Sequence, residues 1–160
     1  VRPRPRVTPD DPRQPNVHAR SQPMAHVLIV AHRTAATPTL LDAAASRAHR
    51  EPCTFTLLVP RPYWDPETNE AQATIELAIP LLDRATGTHV RGVIGASDPF
   101  EAVRALFEQE RFDEVIVSTL PHRVSGWLRL DLAHRIERLG VPVTVVTAEQ
   151  SARDLGTGGA

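Results

Sequence analysis

Two clusters in this 160-residue chain carry residue types that chemistry uses: His32-Arg33-Thr34, and Ser118-Thr119 followed by His122, Arg123 and Ser125. Each follows a short Val/Ile-rich run, at the point where a strand hands over to a loop. Arg33 and Arg123 bring two fixed positive charges and His122 a switchable one, while Thr34, Ser118, Thr119 and Ser125 supply hydroxyls. Such a set suits a small anionic ligand, for instance a phosphate-bearing one, held by side chains. A histidine beside a hydroxyl is also the raw material of a base and a nucleophile. His122 with Ser118 or Thr119, and His32 in the same crevice, therefore define an alternative: a small hydrolase acting on an acyl or phosphoryl group. The plainest reading leaves Arg33 and Arg123 as solvated loop residues. No catalytic residue is assigned.

The remaining candidates read as structural. His18, His26, His49, His89 and His134 are scattered, and no pair has a tight spacing such as His-x-x-x-His, so no metal ligand is expected. Asp98 before Pro99 is a helix cap rather than a catalytic acid. Cys53 is the one cysteine, which excludes an intrachain disulfide framework or a four-cysteine metal site and fits a reducing, cytoplasmic setting. Trp127, Tyr63 and Trp64 read as packing or partner surface, with stacking on a base as the other use of Trp127.

Composition removes further classes. All 18 positive residues are Arg, so a phosphate-loop lysine, a Schiff-base lysine and the lysine of a phosphoacceptor receiver are excluded. Net charge is −1, but residues 1–23 hold +3 and the rest −4, so the folded part lacks the basic surface that nucleic acid requires. The apolar run 27–31 is far too short for a signal-peptide core or a membrane span, and a soluble protein is expected.

The elements that must position these residues follow from periodicity. Residues 1–23 contain six prolines and almost no large apolar residue, and are expected to be a disordered Arg/Pro-rich tail. Met24, the one methionine, directly precedes the first strand and reads as the true start, or the upstream stretch as dispensable. A single domain is expected over residues 24–148, with a flexible tail over 149–160. Strands are predicted over 26–31, 54–59, 90–94, 113–118 and 143–147. Between them, helices are predicted from Thr37-Pro38, over 67–86 with a kink or break at Pro80, from Asp98-Pro99, and from a Ser125 cap to Gly140. Inward faces are Leu41, Ala44, Ala45 and Ala48; Ile75, Ala78, Ile79 and Leu82; Phe100, Val103, Leu106 and Phe107; and Leu128, Leu132, Ile136 and Leu139. Five strands alternating with four helices predict a three-layer α/β/α sandwich on a parallel sheet, with any ligand beyond the carboxyl ends of the strands.

With that order of elements, Gly95-x-x-Asp98-Pro99 and the closing Gly140-Val141-Pro142-Val143, residues 24–147 resemble the universal stress protein family. The resemblance implies an adenine nucleotide alpha hydrolase-like fold with strand order 3-2-1-4-5, a role in stress response, and a homodimer through the last strand, at Val143 and Val145. The ATP-binding branch carries Gly, two residues, Gly, nine residues, then Gly and Ser or Thr. Here Ser118 and Pro121 stand at the first two glycines, and the third falls near Leu130-Asp131. Pro121 offers no N–H, and a carboxylate at Asp131 about 5 Å from a phosphate would repel it by roughly 3 kcal/mol per charge at an effective dielectric of 20. The family's acidic residue after the first strand is replaced by His32-Arg33. The departures argue for a divergent regulatory or binding module without a resident cofactor. It would not take ATP in the usual way, although another nucleotide stays open; it would respond to a small anionic ligand or to a protein partner.

Overall fold

A computed structural model of the chain describes residues 24–64, 67–120 and 126–148, with the backbone alone over 126–130. The expected tails at 1–23 and 149–160, the Ser125 cap and the Leu128 contact lie outside these residues.

The chain alternates β1 (Ala25–Val30), α1 (Pro38–Arg50), β2 (Cys53–Pro60), α2 (Asn69–Thr86), β3 (Val90–Gly95), α3 (Pro99–Gln109), β4 (Glu114–Thr119), α4 (Gly126–Glu137) and β5 (Val143–Thr147). All four strand pairs are parallel, in the order β3-β2-β1-β4-β5. Val27 to Val30 of the central strand are nearly inaccessible, as a strand covered on both faces must be. Alternate residues feed two cores. Val27, Ile29, Phe55, Leu57, Val59 and Ile116 pack with Leu40, Ala44, Ala71, Ala78 and Leu82 of α1 and α2. Leu28, Val30, Leu58, Val115 and Val117 pack with Ala102, Val103 and Leu106 of α3 and Ile136 of α4. The result is the three-layer sandwich with one helix pair per face.

Three expectations are refined. Of the kink or break expected at Pro80, the break is absent, and helix α2 continues through the proline. Pro80 and Glu76 both lie on the exposed side, where water can take the carbonyl that loses its donor. Helix α1 keeps Ala44 in the core with Leu41 and Ala48 packed against it, but its deepest residues also include Leu40 and Arg47, whose guanidinium is matched by a carboxylate from the sheet. Helix α4 ends at Glu137, so Leu139 falls in the following turn and is exposed; Gly140, at φ +95°, closes that turn.

Local capping explains several boundaries. Asp98 accepts from the Glu101 amide at 2.9 Å and starts α3. The Thr37 hydroxyl donates back to the Thr34 carbonyl at 2.9 Å, which closes the turn after β1 instead of capping α1. Thr68 precedes α2 at φ +66°, a left-handed conformation that costs a β-branched residue about 1–2 kcal/mol.

Candidate functional site

Strands β1 and β4 are neighbours whose crossovers run to opposite faces, which opens a crevice beyond their carboxyl ends. A cavity of about 380 Å³ occupies it. Its walls are mostly apolar, from Val30, Ala31, Pro60, Phe100, Val117, Leu120 and Leu132. Five of the eight residues named from sequence meet there: His32, Arg33, Thr34, Ser118 and Thr119. His122, Arg123 and Ser125 lie outside the described residues.

The hydroxyls are the unusual feature. Thr34 is 2 % exposed and Ser118 7 %. Thr34 Oγ1, Ser118 Oγ and Thr119 Oγ1 are all buried and make no hydrogen bond among the described residues. Buried polar atoms are normally paired. Three unpaired hydroxyls lining one cavity are what a site prepared for a polar ligand would show.

Among the described lining residues charge is balanced, with Arg33 and Arg135 against Asp98 and Asp131. Arg135 stacks over the Phe100 ring, its guanidinium carbon 4.0 Å from the centroid. The Asp98 carboxylate occupies the start of α3, so one of the amides there that could have held a phosphate is already bonded. Burial pushes the His32 imidazole below its ordinary value; nearby Glu70 opposes that shift and Arg33 adds to it. His32 Nε2 lies 3.6 Å from Glu70 Oε1, and Arg33 Nε 3.8 Å from the same oxygen.

Sequence reasoning missed Phe100 and Arg135 as wall residues, and Glu70 as a neighbour of the cavity. The helical spacing of Asp131, Leu132 and Arg135 was a usable signal for Arg135. None marked Glu70, which reaches His32 and Arg33 only through the packing of α2 against α1, β2 and β3. Among the described residues no group of acidic, histidine or cysteine side chains could hold a metal ion. No helix among them is long and apolar enough to cross a membrane. Cys53 is buried and its thiol pushed up by burial, the condition of an inert cysteine.

The fold and the position of the cavity define a nucleotide-hydrolase-like α/β/α sandwich with a crevice at its switch point. Solved structures that share it include two universal stress proteins. A universal stress protein in complex with cAMP superimposes with a TM-score of 0.57 at 17% identity, covering 79% of this chain and 98% of that one. The universal stress protein from Archaeoglobus fulgidus in complex with dAMP gives 0.56 at 15%, covering 77% and 97%. The sequence itself matches no protein-family model and no curated protein. At these identities the likeness establishes the fold, and it agrees with the resemblance read from the sequence.

Proposed function

We propose that this chain is a divergent universal-stress-type regulatory or binding module. Its crevice takes a small anionic ligand through side chains instead of a glycine cradle, and it works as a homodimer through β5 in the cytoplasm. The observation that carries the reading is the convergence of three unpaired hydroxyls on one cavity. The ligand-holding set is His32, Arg33, Thr34, Ser118 and Thr119, with His122, Arg123 and Ser125 from the loop after β4. Nucleotides with one phosphate suit the balanced lining better than ATP, whose chain of charges would meet Asp98 and Asp131. The two similar proteins were solved with cAMP and dAMP, each carrying a single phosphate.

The alternative is a small hydrolase that uses His122 with Ser118 or Thr119, a hydroxyl activated by a neighbouring base. The dimer is supported by the edge position of β5, which leaves Val145 38% exposed. Calorimetric titration with cAMP, dAMP and ATP tests the site. Titration of wild type against His122→Ala, with a parallel assay for hydrolysis, separates the two classes. Turnover abolished by that change, with the fold intact, would establish the hydrolase instead.

A further inference from the structure

Glu70 stands outside the cavity wall yet touches two residues that form it. Its Oε1 lies within 4 Å of both His32 Nε2 and Arg33 Nε, while its Oε2 accepts from the Trp64 indole N–H at 3.1 Å. Among the described residues, these three groups lie against the carboxylate, two of them in the lining. Arg33 is a positive wall residue that an anionic ligand would seek, and it is already partnered.

We propose that Glu70 is a specificity-determining residue: a built-in counter-anion that competes with the ligand's negative group for Arg33 and so sets how much negative charge the site accepts. The inference rests on the reading of the cavity as an anion site. With Glu70 in place, the lining offers little surplus positive charge, so a ligand with one negative group and an apolar or hydroxylated body is favoured over a polyanion. Without its charge, Arg33 is released and polyanions gain most. The indole contact keeps the carboxylate near the rim, and it joins the site to an exposed aromatic pair, since Trp64 packs edge-on against Tyr63 at a centroid distance of 4.9 Å.

Glu70→Gln is the informative change, because an amide oxygen can still accept from Trp64 while the charge is gone. The probes are adenosine, AMP and ATP, titrated calorimetrically at two salt concentrations. The counter-ion role predicts that adenosine affinity is unchanged, AMP binds about two- to fivefold tighter to the variant, and ATP gains more than AMP, with steeper salt dependence; the size is that of a partly exposed ion pair. Equal or weaker AMP binding by Glu70→Gln, alongside measurable binding to wild type, overturns the counter-ion role and leaves the site reading standing. An equal gain for adenosine and AMP also overturns it, since a loosened structure and not a released charge would then be responsible. If neither protein binds any probe, the site reading fails and this inference with it.

Discussion

Replacing Thr34 by Val removes one hydroxyl and keeps the branched shape of the side chain. Thr34 is 2% exposed, its Oγ1 has no hydrogen-bond partner, and the turn after β1 uses only its carbonyl oxygen, which Val preserves. A buried hydroxyl without a partner costs about 1–3 kcal/mol, and an apolar group of the same shape does not carry that cost. Thr34→Val should therefore raise the stability of the ligand-free protein by about 1 kcal/mol, roughly 4 °C in Tm for a domain of this size. The same change should weaken ligand binding about two- to tenfold, the worth of one neutral hydrogen bond. Ser118→Ala should behave alike. Urea and thermal unfolding at pH 7.5, followed by calorimetric titration, measure both effects. Opposite signs in stability and affinity are the mark of a group held unpaired for a ligand. Loss of 1 kcal/mol or more of stability in the free protein would refute the reasoning, because it would mean that the hydroxyl has a partner in the folded state.

Other perturbations follow from the same structure. The His32 imidazole is pushed down by burial, so stability should be full above about pH 6.5 and fall as the pH drops through the depressed folded-state value; His32→Gln should flatten that part of the pH profile, and NMR titration should place His32 below the ordinary histidine value. Arg47 and Glu114 form a largely buried ion pair at 2.5 Å, and Glu114→Gln should cost about 3–5 kcal/mol in urea unfolding because the Arg47 charge is left uncompensated; Arg47→Met should cost less, since Arg50 still lies 3.7 Å from the Glu114 carboxylate. Gly95→Ala would bring a methyl to 2.6 Å from Ala102 Cβ and 2.8 Å from Leu58 Cδ1, so it should destabilise by about 1–3 kcal/mol as α3 is pushed off the sheet. Val145→Glu at the exposed β5 edge should give monomers in analytical ultracentrifugation; a wild-type chain that stays monomeric at high concentration would contradict the dimer.

Much of the architecture was readable because each strand is a short Val/Ile/Leu run fenced by Pro, Gly or a charged turn. A parallel sheet buried on both faces leaves that signature. The boundaries fell within a residue or two of 90–94 and 113–118, and 143–147 was matched. Where reading by residue type failed, burial was decided by a partner distant in sequence. Arg47 was not among the inward residues expected of α1, yet Glu114 of β4 meets it, and Leu40 is buried on the same helix. Pro80 looked like a helix breaker because its exposed position could not be known. In the site, the strand-end residues His32 to Thr34 and Ser118-Thr119 were legible, since parallel topology places them together. Phe100, Arg135 and Glu70 were missed, since they arrive from three helices whose rotation about their axes is set by packing, and only Arg135 had a spacing signal that could have found it.

The measurement that tests the central claim most directly is calorimetric titration of the wild-type chain with cAMP, dAMP and ATP, beside Thr34→Val and Ser118→Ala. Native mass spectrometry of the freshly purified protein would reveal a carried-through ligand. A site built from side chains around a charge-balanced crevice predicts that a monophosphate nucleotide binds more tightly than ATP and that both substitutions weaken it. Tighter binding of ATP, or binding indifferent to the loss of both hydroxyls, would contradict the account.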